Sequence, residues 1–143
     1  MTSLSKFLRL SSDEKRVVLL CILALPAASL ASPLLGRYWA RRSIGQAART
    51  DRAPSWRVIE RITHLVEGVA GRLWWRPSCL ARSIVLRYLL RARGIDTRLR
   101  VAVRLQAGEL HAHCWLECDG KPVHDAPPPE EAYRTFPDPA PRP

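Results

Sequence analysis

Residues 76–94, R-P-S-C-L-A-R-S-I-V-L-R-Y-L-L-R-A-R-G, spell a helix with both ends marked. Pro77 and Ser78 are of the types that favour a helix start, and Gly94 is the usual residue just past a helix end. Between them Leu80, Ile84, Leu86, Tyr88, Leu89 and Leu90 recur at helical spacing, with Arg82, Arg87, Arg91 and Arg93 for the opposite side. A stripe of this kind has to be covered, so the rest of the chain must supply a layer for it. The same reading puts Cys79 in the first turn. There the unpaired backbone N–H groups and the positive end of the helix dipole favour a thiolate. Cys79 is therefore a candidate nucleophile as well as a candidate small core residue.

After Gly94 the apolar period changes from helix to strand. Leu99, Val101, Val103 and Leu105 alternate with Arg98, Arg100, Ala102 and Arg104, which predicts one buried face and one wet, basic face. Gln106-Ala107-Gly108 reads as a turn. Leu110, Ala112, Cys114 and Leu116 then share one face, and His111, His113, Trp115 and Glu117 the other. Cys118-Asp119-Gly120-Lys121 is a hairpin turn around Asp-Gly, followed by a short strand from Lys121 to Asp125.

Strands in a hairpin lie about 5 Å apart, so Asp125 comes within reach of a histidine on the strand before it. A cysteine at a helix start, a histidine on a strand and an acid on the next strand make a coherent set. The imidazole takes the thiol proton and later protonates a leaving amine, while the carboxylate fixes its tautomer. Residue types alone leave both His111 and His113 open as the base. The backbone N–H of Cys79 is a natural oxyanion donor. Trp74 and Trp75 either line the cleft, with an indole N–H as a further donor, or pack in the core. Glu117 and Asp119 read as surface and turn residues.

The N-terminal third is apolar and carries no such constellation. Residues 1–10 form a short amphipathic lead-in, and Ser11-Ser12-Asp13-Glu14 marks a helix start. The run from Val17 to Leu35 has no charge, but Pro26 and Pro33 interrupt it. The expectation is two short helices, about 12–25 and 27–41, packed on the core, on a partner or on a membrane surface. Residues 43–55 are a polar linker, and a further helix runs from Pro54-Ser55 to about Gly71. The tail from Pro127 is rich in proline, with at most one helical turn between Glu130 and Phe136. The expected organisation is thus 1–53 for apolar helices and linker, 54–126 for an α+β core, and 127–143 for the tail.

At 143 residues and 47% hydrophobic, the chain suits one ordinary domain. Its net charge of +10 is spread along the sequence and no nucleic-acid-binding motif accompanies it, so nucleic acid is not an expected partner. Four cysteines do not make a disulfide framework: Cys114 and Cys118 lie too far apart along one strand for a relaxed bond. Free thiols fit the cytoplasm, or the inner surface of its membrane. A zinc site from His111, His113, Cys114, Cys118 and His124 is disfavoured because positions 113 and 114 face opposite sides of a strand. No metal or cofactor is expected.

Two stretches, P-S-C-L-A-R-S-I-V-L-R-Y-L-L-R-A-R-G-I-D and H-A-H-C-W-L-E-C-D-G-K-P-V-H-D, resemble the leader peptidases of lasso peptide biosynthesis, members of the transglutaminase-like (papain-like) superfamily. The family pattern is a Cys-Leu-x-Arg-Ser helix, then His-Ala-Trp-x-Glu and a Gly-x-Pro-x-x-Asp hairpin. The resemblance covers about residues 73–126. It implies a Cys-bearing central helix on a small antiparallel sheet, and a cysteine peptidase that cuts a ribosomal precursor between leader and core. It also implies two partners: a small leader-binding protein of the RiPP recognition-element type, and an asparagine-synthetase-like enzyme that closes the macrolactam. Residue by residue, Cys79 matches the nucleophile, His113 the base and Asp125 the orienting acid. Arg82 and Ser83 match the Arg-Ser pair, for which a structural hydrogen-bonding role is expected. Cys114 stands where the family has Ala, and on the opposite face from His113 it is expected to leave the chemistry unchanged. The same triad also admits an acyltransferase or transglutaminase, and the same fold a catalytically silent scaffold.

Overall fold

A computed structural model describes residues 9–43, 55–124 and 133–135, with the backbone alone over 32–43. The start of the lead-in, most of the polar linker, Asp125 and nearly all of the proline-rich tail lie outside the described residues. The elements are α1 (Ser12–Ser43), α2 (Trp56–Ala70), α3 (Cys79–Arg91), β1 (Arg98–Gln106), β2 (Glu109–Cys118), β3 (Lys121–His124) and β4 (Arg134–Thr135). The four strands form one antiparallel sheet in the order β3-β2-β1-β4. The architecture is α+β, as expected.

The start of α1 is a capping box. The Ser11 N–H donates to Glu14 Oε2 at 2.8 Å and the Glu14 N–H to Ser11 Oγ at 3.3 Å. The helix then runs unbroken through Pro26 and Pro33, so the two short helices expected here are one. Proline removes one backbone donor and crowds the preceding turn. Against that cost, Val17, Cys21 and Leu25 line one face at four-residue spacing and are fully buried in the core. Just past Pro26, Ser29 Oγ donates to the Leu25 carbonyl at 2.7 Å. Of the three environments anticipated for 17–35, the core takes this face. Leu19, Leu20, Ile22, Leu23 and Leu30 are exposed. No helix among the described residues is long and apolar enough to cross a membrane.

α2 buries Ile59, Ile62, Val66 and Ala70 against α1 and α3. α3 is capped by Ser78, whose Oγ accepts from the Ala81 N–H at 3.2 Å. At its other end Gly94 takes φ +72° and the Ile95 N–H reaches back to the Leu90 carbonyl at 3.0 Å. The buried stripe of α3 is Ala81, Ser83, Val85, Leu86, Leu89 and Leu90. This is rotated from the expected one: Leu80 and Ile84 are only half-buried and Tyr88 is exposed. α3 contacts α1, α2 and the sheet, so its covered arc is set by three neighbours at once.

Two tight hairpins fix the sheet. Ala107 and Gly108 have φ of 52° and 84°, and Asp119 and Gly120 have φ of 49° and 75°. Both pairs are two-residue turns whose positive φ matches the strand twist. β1 and β2 pair with Val101 opposite Cys114 and Ala102 opposite His113. A bulge between Leu116 and Glu117 moves the β2–β3 register so that Leu116 meets His124 while Glu117 meets Pro122. Three strand expectations change. Leu105 and Leu110, assigned to the buried face, are exposed near the hairpin tip. Ala102 and Trp115, assigned to the wet face, are buried, so both sides of the sheet are covered there. Arg134–Thr135, where a helical turn was anticipated, is a strand beside Val103 and Ala102, because the open edge of β1 offers backbone partners.

Candidate active site

Cys79 is the first residue of α3, immediately after its capping serine, and is half-buried against the core. Its sulfur accepts hydrogen bonds from the Cys114 thiol, from the Cys114 backbone N–H and from the Leu80 backbone N–H, and it feels the charge of His113. The thiol bond is the largest of these influences. Together they outweigh burial, which acts the other way, and lower the Cys79 thiol from its ordinary 9.0 to about 5. Cys114 moves in the opposite direction: its bond to the Cys79 sulfur and its burial both keep the proton on it. Of the two, the thiolate belongs on Cys79, which sits at the helix start and nearer to water.

Cys114, expected only as a small residue on the face opposite His113, therefore touches the candidate nucleophile. The reason is strand alternation. Its face of β2 is the one packed on α3, and the residue before it, His113, is on the other face. His113 nevertheless contributes its charge at Cys79. It is half-buried, with its ring stacked on Trp115 at 6.1 Å between centroids and 6.0 Å from the Tyr133 ring. The Arg104 guanidinium lies over Tyr133 at 4.9 Å. His111, the other histidine of this face, is exposed.

The remaining residues singled out in the sequence are distributed around this centre. Arg82 Nη1 donates to Glu67 Oε2 on α2 at 2.7 Å. Ser83 is fully buried and its Oγ lies 3.3 Å from Nε2 of His124, itself buried at the end of β3. Trp74 and Trp75 meet edge to face at 5.3 Å, with Trp74 almost wholly exposed and Trp75 half-buried. Asp125 follows His124 directly and lies outside the described residues. Sequence reasoning missed two members of the centre, Cys114 and His124. The alternation of β2 carried a signal for Cys114. None existed for His124, whose place depends on the bulge.

Chemically, the centre is a cysteine thiol shifted toward its thiolate at a helix start, with the charge of His113 acting on it and a backbone N–H at the same helix start, which suits attack on an acyl carbon. Among the described residues no cluster of His, Cys, Asp and Glu is arranged to hold a metal ion.

Comparison with known proteins adds two findings. The sequence model of the transglutaminase-like superfamily matches residues 21–137. The microcin J25-processing protein McjB of Escherichia coli is 36% identical over 53 residues, 37% of this chain and 24% of that protein, so the match spans about a quarter of the relative's length. No solved structure gives a significant match.

Proposed function

The chain belongs to the transglutaminase-like superfamily, and on that premise we propose that it is a cysteine peptidase that removes the leader from a ribosomally made lasso precursor peptide before macrolactam closure. The observation that carries this reading is Cys79 at the start of α3, its thiol lowered to about 5 by its hydrogen bonds from Cys114 and by the charge of His113. The similarity to a microcin-processing protein supports the choice of substrate.

In this reading the Cys79 thiolate attacks the scissile carbonyl, and its own backbone N–H receives the developing oxyanion. His113 protonates the departing amine, and Asp125 orients the imidazole. Water, activated by His113, then releases the leader from the acyl-enzyme. The reaction belongs in the cytoplasm, where thiols stay reduced. A separate leader-binding protein presents the precursor, and an asparagine-synthetase-like cyclase receives the freed core. Trp74, exposed just before the nucleophile's helix, is offered as a cleft residue for the peptide.

The test is incubation of the full chain with a candidate precursor and its leader-binding protein, followed by mass spectrometry. The expected result is one cut between leader and core, absent with a folded Cys79→Ala protein. Equal cleavage by that variant would end the assignment.

A further inference from the structure

Behind the candidate nucleophile lies a line of buried polar side chains that peptide cleavage itself does not call for. The Cys114 thiol is bonded to the Cys79 sulfur on one side and to the Ser83 hydroxyl on the other. The Ser83 hydroxyl in turn lies 3.3 Å from His124 Nε2. Cys114 is 4% exposed, Ser83 0% and His124 8%, so the line runs through the core from β3 across α3 to β2. A serine and a histidine are costly to bury, and the bond between them offsets part of that cost.

The line has a direction. A thiolate can only accept, so the Cys114 proton points at Cys79. The Cys114 sulfur is then an acceptor for the Ser83 O–H. The Ser83 oxygen is left to accept, which requires the His124 tautomer with its proton on Nε2. Every donor in the row thus points toward Cys79, and bonds aligned in this way strengthen one another in a low-dielectric core.

We propose that Ser83 and His124 are positioning residues that orient the Cys114 thiol, so that its proton is delivered as a fixed hydrogen bond to the Cys79 sulfur. They touch neither substrate nor the reacting atoms and act only through Cys114. The inference rests on Cys79 being the nucleophile, but its test does not use the peptidase reaction. The other charged groups facing the pair are His113, which acts on Cys79, and Arg82, which acts on Cys114. Both are kept unchanged in every variant.

The experiment is the pH dependence of iodoacetamide alkylation at Cys79 in the full chain, followed by peptide mass spectrometry. In the unsubstituted protein the midpoint should lie near 5. Ser83→Ala and Cys114→Ala should each raise it by about one unit, a tenfold loss of thiolate below the midpoint. Cys114→Ser, which keeps a donor, should stay within half a unit of the starting value. His124→Ala should move the midpoint upward by less than Ser83→Ala, being one bond further away. Thermal melts identify any variant that fails to fold, and the Cys114→Ala and Cys114→Ser pair then decides. Unchanged midpoints in both Ser83→Ala and Cys114→Ala overturn the proposal, as does a Cys114→Ser midpoint as high as that of Cys114→Ala. If the midpoints shift as expected and no precursor is cleaved, the relay stands and the peptidase reading falls. If cleavage occurs and the midpoints do not move, the reverse holds.

Discussion

Arg82 on α3 and Glu67 on α2 are joined by an ion pair of 2.7 Å, with both side chains partly shielded from water. The pair ties the helix that carries Cys79 to the helix before it, one turn beyond Cys79. Removing one partner leaves the other charge without its counter-ion. Arg82→Gln is expected to cost about 1–2 kcal/mol in urea unfolding, between exposed and fully buried pairs. Adding Glu67→Gln to Arg82→Gln should cost less than Glu67→Gln alone.

The two faces of α1 should respond differently to substitution. Leu25 is fully buried, whereas Leu23 is 64% exposed. Leu25→Ala is expected to lower unfolding stability by about 2–5 kcal/mol, and Leu23→Ser by no more than about 0.5 kcal/mol. Comparable losses in both would mean that the helix is not seated as described.

For the two histidines of β2, the expectation is asymmetric. His113 is half-buried and acts electrostatically on Cys79, while His111 is exposed. His113→Ala should lower turnover on the precursor by about 10³ or more, and His111→Ala by far less. In the proposed triad, Asp125→Asn should also lower turnover severely. A dead His111→Ala beside an active His113→Ala would refute the assignment of the base.

The chain's thiols should separate by acidity. Cys79 is lowered to about 5, Cys21 is pushed up to about 11 by burial, and Cys114 and Cys118 are also raised. At pH 6.5 iodoacetamide is expected to modify Cys79 alone in the folded protein. Labelling of Cys21 or Cys118 at a similar rate would contradict this.

Acid should weaken the start of α1. The Arg61 guanidinium beside Glu14 is the main reason its carboxyl falls from the ordinary 4.5 to about 2, with the Ser11 backbone bond adding to it. A carboxyl lowered by folding adds stability that is full above its unfolded value and is lost as pH falls toward its folded one. The stability gap between the protein and Glu14→Gln should therefore shrink as pH drops from about 4.5 toward 2. The pair is exposed, so the gap should also narrow with salt. A gap independent of pH over that window would exclude the pair as its source.

What could be read from the sequence was mostly local. Ser78 and Gly94 bracket α3 because caps act within a turn, and the Asp119-Gly120 hairpin follows from its own backbone preferences. The continuity of α1 was not legible: Pro26 signals a break, and the packing of Val17, Cys21 and Leu25 that overrides it comes from distant elements. The site divides in the same way. Cys79 at a helix start and the alternation around His113 could be read directly. The meeting of Ser83 with His124 could not, since it depends on one extra residue of register at the Leu116 bulge.

That register has a further meaning for how the molecule assembles. β2 sets an imidazole and a thiol at adjacent positions, 113 and 114, on opposite sides of the sheet. Sliding the strand by one residue would exchange their faces, putting His113 into the core and Cys114 on the opposite side of the sheet. Such a misthreaded sheet would keep most of its backbone bonds and lose the contact between Cys114 and Cys79. The left-handed pairs Ala107-Gly108 and Asp119-Gly120, far from Cys79 in sequence, are what forbid the slip from either end of the strand. The register of the Cys79–Cys114 contact is thus set by two turns at the far ends of the strand, through backbone conformation alone.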